Sequence, residues 1–178
     1  MKNFKGKKIR VRPLGQKDIA LAKGFRDYFN ELIEEDAKIL MKTKKTLEEQ
    51  RQWLEEKFKA VKKHKRVCLL AESGSQIVGF VSLTLGQERQ DHIAVLSVNV
   101  RQGWRGLGLG TYLIKQITRL AKKQLKPRPK IIQLQVFANN PLAIKLYQKL
   151  GFQKTGFMPK QLQYKNRLVG EYTMLLEI

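Results

Sequence analysis

Apolar residues recur along this chain in two rhythms. After Lys8, the run Ile9 to Leu14 reads as a strand ended by Pro13 and Gly15. From Gln16 to about Asp36, residues Ile19, Ala22, Phe25, Phe29, Leu32 and Ile33 keep helical spacing, although Gly24 weakens that helix by about 1 kcal/mol relative to Ala. Ala37 to Lys45 carries neither rhythm and is expected to be a loop bordering a substrate entrance. Thr46 with Glu49 forms a capping box for a helix from Leu47 to Lys63, whose inner face is Leu47, Leu54, Phe58 and Val61. Strands follow at Arg66 to Glu72, Gln76 to Leu85 and His92 to Val100, separated by the turn Ser73-Gly74-Ser75 and the polar loop Gly86 to Asp91.

A helix from Leu109 to Leu125 then buries Leu109, Leu113, Ile117, Leu120 and Ala121, and Lys126-Pro-Arg-Pro129 breaks it. The chain finishes with a strand from Ile131 to Phe137, a helix from Pro141 to Leu150 with Pro141 in its first turn, and strands near Phe152 to Phe157 and Leu168 to Glu177. Strands alternating with helices in the middle and hairpins at both ends predict an α/β chain, a mixed sheet with helices on both faces. Residues 1–7 read as a basic tail and residues 8–178 as a single domain.

Between the strand ending at Val100 and the helix starting at Leu109 stands Arg105-Gly-Leu-Gly-Leu-Gly110. A strand entering a helix through glycines leaves the first helical N–H groups without partners, and such groups bind anions, above all phosphates. Two nucleotide motifs fail here. A dinucleotide fingerprint starting at Gly106 meets Thr111 where a third Gly or Ala belongs, with no acid about 20 residues further on. The P-loop needs Gly-Lys followed by Ser or Thr, which is absent.

Arg-x-x-Gly-x-Gly, from Arg105 to Gly110, resembles the acyl-CoA-binding loop of the GNAT (Gcn5-related) N-acetyltransferases. A second stretch, Asn140, Ala143, Leu146, Tyr147, Gly151 and Phe152, is similar to that family's N-x-x-A-x-x-L-Y-x-x-x-G-F signature, in the family's order and separation. The resemblance implies a GNAT fold, with a mixed, mostly antiparallel twisted sheet of about six to seven strands. It also implies acetyl-CoA as co-substrate and transfer of its acetyl group to a primary amine in a ternary complex. Backbone N–H groups of Arg105, Gly106, Leu107, Gly108, Leu109, Gly110 and Thr111 would hold the pyrophosphate. Backbone groups of Val98, Asn99 and Val100 would pair with the pantetheine arm, which Asn140 would also contact. Tyr147 would protonate the departing thiolate, since a phenol of ordinary pKa about 10 stays protonated at neutral pH. From periodicity alone Tyr147 is a core tyrosine and Asn140 a helix cap.

The proton acceptor for the amine stays open. Relatives that acetylate ribosomal amino termini carry a Glu where this chain has Gln135, and phosphinothricin acetyltransferases carry one at Val95. Glu31, Glu34, Glu35, Glu72, Glu88, Asp91, His92 or a chain of waters are the alternatives.

Charge adds a second theme to a net +21. Residues 1–91 carry 21 Lys and Arg against 13 acids, whereas residues 92–170 carry 15 against none. Lys115, Arg119, Lys122, Lys123 and Lys126 form a stripe on the helix after the cradle. With the amino-terminal lysines and the cluster Lys57 to Arg66, that stripe suits a polyanion such as ribosome or RNA. The alternative function is therefore a basic GNAT-fold binding module with little or no catalysis. The aromatic interleaving of an RNA platform is absent, and Trp104 is expected to pack.

No apolar run approaches the roughly 18 residues of a membrane span. The basic amino terminus is followed by no apolar segment, so no secretory signal is expected. The lone Cys68 sits in an apolar run, where burial makes it a poor nucleophile, and it suggests a reduced, cytoplasmic setting. Two histidines and one cysteine supply no metal-ligand spacing. The acceptor and the oligomeric state, a homodimer included, stay open.

Overall fold

Along β3 (Arg66–Ser73) successive side chains point to opposite faces of the sheet, and each face has its own core. Val67, Leu69 and Ala71 join the larger core, beneath α3 (Leu109–Gln124). Cys68 and Leu70 join a second core, beneath α1 (Ala22–Glu34) and α2 (Leu47–Lys62). In this computed structural model, which describes residues 1–178, one sheet therefore separates two apolar layers.

The remaining strands are β1 (Lys2–Phe4), β2 (Lys7–Pro13), β4 (Gln76–Leu85), β5 (Ile93–Val100), β6 (Ile131–Phe137), β7 (Gln153–Tyr164) and β8 (Arg167–Glu177), with α4 (Pro141–Lys149) between β6 and β7. Their spatial order is β1-β2-β3-β4-β5-β6-β8-β7. Only β5 and β6 run parallel; every other pair is antiparallel.

The sheet has eight strands rather than six to seven. The extra one lies in the residues read as a basic tail, where Lys2–Phe4 pairs with β2 and Phe4 is buried. Its single inward aromatic is too short a pattern to stand out among lysines. The first helix also differs from its expected form: Gln16–Leu21 is a 3-10 turn, and α1 proper starts at Ala22. Leu47, expected inside, is exposed because it opens α2 before that helix reaches the sheet. The capping box forms, with Glu49 N–H donating to Thr46 Oγ1 at 3.2 Å.

An aromatic cluster of Phe25, Phe29, Trp53 and Phe80 fixes α1 and α2 on β4, with Phe25 edge-on to Phe80 at 5.5 Å. Arg12 anchors the start of the helical segment. Its guanidinium donates to both oxygens of buried Asp18 at 2.8 Å and to both oxygens of Glu72 at 2.9 Å.

Candidate functional site

β5 and β6 are paired over three positions only, Ile93↔Ile131, Ala94↔Ile132 and Val95↔Gln133. Beyond Val95, β5 continues along β4 and β6 continues along β8, so the two parallel strands splay apart. Gly86 N–H donates to Ile93 O, and Arg101 N–H donates to Val78 O, so the odd-numbered residues of β5 direct their main chain at β4. By alternation, the main chain of Val98 and Val100 faces the splay, while that of Asn99 is committed to β4. The three residues expected to meet a ligand together thus divide. Val100 O accepts from Arg105 Nε at 2.7 Å, which ties the following loop to the strand end.

That loop carries the glycines. Gly106 and Gly108 have φ of +74° and +87°, left-handed values that a side chain disfavours. A Cβ at either would meet no protein atom within 4 Å, so the glycines' open side faces outward. The leucines that follow each of them turn inward: Leu109 is buried and Leu107 packs against the larger core. None of the main-chain N–H groups from Arg105 to Thr111 donates to the protein, and the first α3 bond runs from Tyr112 N–H to Gly108 O at 3.0 Å. No acid occupies the first turn of α3. An anion approaching this mouth meets unpaired donors and the positive end of the helix dipole. At Gly110 a Cβ would lie 3.5 Å from Leu146 Cδ1, so this glycine serves the approach of α4 to α3.

Two ion pairs clamp the loop from the other side: Arg101 with Glu31, and Arg105 with Glu35. Arg101 also donates to Ile77 O at 2.9 Å and lies over the ring of buried Tyr28.

Asn140 caps α4, with its Oδ1 accepting from Ala143 N–H at 3.3 Å, which leaves both Nδ2 hydrogens for another partner. Tyr147 packs edge-on to Phe152 at 5.8 Å, within the layer that holds α3. Burial alone pushes its phenol up to about 12. Tyr147 and Asn140 thus come from the same short helix, on the same side of the sheet as the glycine loop.

The proposed proton acceptors fare differently. Glu31, Glu34, Glu35 and Glu72 are all in ion pairs, with Arg101, Lys44, Arg105 and Arg12. Glu88, Asp91 and His92 precede β5, at the end opposite the glycine loop, roughly 25 Å away at the rise of an extended strand. Val95 is exposed at the last paired position, and Gln135 faces Thr173 across β8.

One carboxylate went unnoticed in the sequence. Glu171, on β8, is only 7% exposed, forms no ion pair and is held above the usual carboxylate range by burial. It lies opposite Phe137 of β6, at the splayed end. Its position in a β-branched and aromatic run, one residue from a glycine, was the available signal.

Facing Phe137 is a cleft of about 310 Å³ between the α1–α2 connection and the β7–β8 hairpin, lined among others by Ile33, Ile39, Met41, Leu162 and Tyr164. Tyr164 bridges its two walls, edge-on to Phe137 and donating its hydroxyl to Asp36 O at 2.9 Å. Cys68 is buried and its thiol is pushed up to about 11, chiefly by burial, which keeps it an unreactive thiol. No three His, Cys, Asp or Glu side chains gather as a metal site would need, and no helix is long and apolar enough to cross a membrane.

The architecture matches solved structures closely. An acetyltransferase of the GNAT family from Streptococcus pneumoniae superposes with a TM-score of 0.82 at 24% identity, covering 96% of this chain and 99% of that one. A GNAT superfamily phosphinothricin acetyltransferase from Sinorhizobium meliloti, in complex with AcCoA, superposes at 0.78 with 14% identity, covering 96% and 88%. At these identities the likeness concerns the fold.

In sequence, the chain is 29% identical over 107 residues to the L-amino acid N-acetyltransferase AaaT of Escherichia coli, spanning 60% of this chain and 65% of that protein. It is 28% identical over 105 residues to the N-alpha-acetyltransferase RimI of Mycobacterium tuberculosis, spanning 58% and 61%. The matches thus span less than two thirds of these relatives' length. The profile of the acetyltransferase (GNAT) family fits residues 27–152, a stretch that takes in the splayed strands, the glycine loop and α4. The chain belongs to the acetyltransferase (GNAT) family.

Proposed function

We propose that this protein is an acetyl-CoA-dependent N-acetyltransferase acting on a primary amine. The observation that carries the reading is the set of unpartnered N–H groups from Arg105 to Thr111, next to the open edge of β5. A pyrophosphate satisfies the first, and an extended amide-bearing chain satisfies the second as an added strand would. Acetyl-CoA has both parts and supplies an activated acetyl carbon with a thiolate leaving group.

Each residue then has a role that follows from its place. Gly106 and Gly108 keep side chains away from the donors. The main chain of Val98 and Val100 fixes the depth of the pantetheine arm, and Asn140 Nδ2 is available to it. Tyr147 holds a proton throughout the neutral range, because a phenol pushed up to about 12 does not ionise there, and it gives that proton to the sulfur. The test is calorimetric titration with acetyl-CoA, followed by thiol release with and without amines in wild type and Tyr147→Phe. Micromolar binding with turnover reduced about 100-fold in the variant is expected, the usual weight of a positioned acid. No heat of binding would end the reading.

A second reading, a polyanion-docking surface, has one specific observation behind it. Lys65 Nζ donates to Lys126 O and Lys126 N–H donates to His64 O, both at 3.0 Å, which joins the α2–β3 turn to the end of α3. Exposed Lys62, Lys63 and Lys65 thereby lie in the segment joined to the one that carries exposed Lys123, Lys126 and Arg128, and no ion pair neutralises any of them. Ribosomal or other RNA is the partner this charge suits, and binding that weakens steeply with salt is the result that supports it.

A further inference from the structure

Glu171 stands apart from the other acids. The fold shifts four carboxylates; Asp18, Asp27 and Glu49 go down and Glu171 alone goes up. The lowered ones each accept hydrogen bonds from a cation or a main-chain N–H, whereas Glu171 has neither. A glutamate this little exposed and without a cation partner is unusual.

Its surroundings show what it faces. Tyr172, Met174 and Leu176 of β8 pack into the layer of α3 and α4, so by alternation Glu171 and Thr173 face the side of α1 and α2. On β6, Leu134 and Val136 belong to that same α3 layer, which places Phe137 beside Glu171 on the opposite face. Phe137 is also a wall of the cleft, and Glu171, its cross-strand neighbour, lies just behind that lining. Cross-strand neighbours of Glu171 are Phe137 on β6 and Met158 on β7, neither of them titratable. Among the ionisable groups on that side are Tyr164 and Arg167 of the hairpin and Asp36, Lys42 and Lys165 lining the cleft, while Glu31 and Glu35 of α1 are paired with Arg101 and Arg105. Asp36 pairs with Lys165, and none of these groups pairs with Glu171.

We propose that the cleft receives an acceptor amine borne on an apolar body, and that the Glu171 carboxylate holds its ammonium and takes its proton. This rests on the acetyltransferase reading and names the acceptor class for it. The acceptor arrives as R–NH3+. One N–H bond breaks and its proton passes to Glu171, which later releases it to water. The freed lone pair forms the C–N bond to the acetyl carbon as the C–S bond breaks. A second proton leaves nitrogen as the amide forms, and it balances the proton that Tyr147 delivers to sulfur. One proton is released per turnover. The two groups act from opposite faces of the splayed strands, Tyr147 from the α4 layer and Glu171 from the cleft.

The test uses the full chain with acetyl-CoA and two acceptors, L-leucinamide and glycinamide, assayed by thiol release from about pH 5 to 9. Leucinamide is expected to exceed glycinamide by about tenfold or more in kcat/KM, the weight of a few methylenes in an apolar pocket. Glu171→Gln should bind acetyl-CoA within about twofold of wild type yet lose about 100-fold in kcat/KM for leucinamide at neutral pH. Its rate should then rise about tenfold per pH unit as free amine accumulates, whereas wild type and Glu171→Asp stay nearly level. Equal use of the two amines, or a Glu171→Gln enzyme with wild-type rate and pH profile, would overturn the proposal. So would a wild type that binds acetyl-CoA but acetylates neither amine. A wild type that does not bind acetyl-CoA sinks the acetyltransferase reading itself. If Glu171→Gln does not fold, the comparison of the two amines on wild type decides.

Discussion

At the mouth of α3 the groups free to meet a ligand are main-chain donors from one continuous loop, Arg105 to Thr111. Across the splayed strands the cleft is walled by side chains from the α1–α2 connection, the end of β6 and the β7–β8 hairpin, segments as distant as Ile33 and Asn166. A main-chain site depends on backbone conformation and tolerates changes elsewhere. A side-chain site depends on how remote elements are held together. The first suits a ligand part that never varies, and the second a part that differs between enzymes.

Breaking the long-range side should show most in stability. Arg12→Ala leaves Asp18 buried without its partner, and a loss of about 3 kcal/mol is expected by urea unfolding, the usual cost of halving a buried ion pair. Acetyl-CoA affinity of the folded fraction should stay within about twofold, since the loop is built locally. The same pair sets an acid limit. Burial alone would raise the Asp18 carboxyl, but Arg12 and the Gly15 N–H more than offset it and hold it below its ordinary value. Its contribution is therefore full above the ordinary Asp range and lost as pH falls through the lowered folded value. Wild-type unfolding free energy should decline below about pH 4, and Arg12→Ala should flatten that decline.

Breaking the main-chain side should show in binding. Gly108→Val forces a β-branched residue to a φ of +87°, and its side chain projects off the loop's open face. Acetyl-CoA affinity is expected to fall about 100-fold, some 2.7 kcal/mol, against about 1–2 kcal/mol of stability. Asn140→Ala probes a residue on the border of the two modes. Losing the cap of α4 should cost about 1 kcal/mol in thermal unfolding, with only a severalfold weaker acetyl-CoA titration. The smallest effect belongs to the basic residues at and just beyond the end of α3. Lys123→Glu with Lys126→Glu should leave stability within about 0.5 kcal/mol and turnover unchanged, while weakening RNA retention in a filter-binding series against salt.

The glycine loop and the Asn140 to Phe152 stretch were legible because both functions are local: a left-handed turn needs Gly, and a short helix needs its cap and face within a few residues. The splay was not legible, because Ile93 to Val100 and Ile131 to Phe137 look like ordinary strands until their register stops at Val95 and Gln133. The commitment of Asn99 to β4 follows from hydrogen-bond alternation, which a sequence does not display. Glu171 was hidden for the same reason. Its burial depends on Phe137, a residue 34 positions earlier in the chain, and on β8 sliding between β6 and β7.

By itself the sequence determined the helices and most strands, the phosphate-suited loop and the family signatures, all set by spacing over a few residues. The tertiary structure decided which acids are spent in ion pairs, where the parallel strands part, and which carboxylate is left buried beside an apolar cleft. Those outcomes depend on pairing between distant segments, where a shift of one residue turns every side chain to the other face.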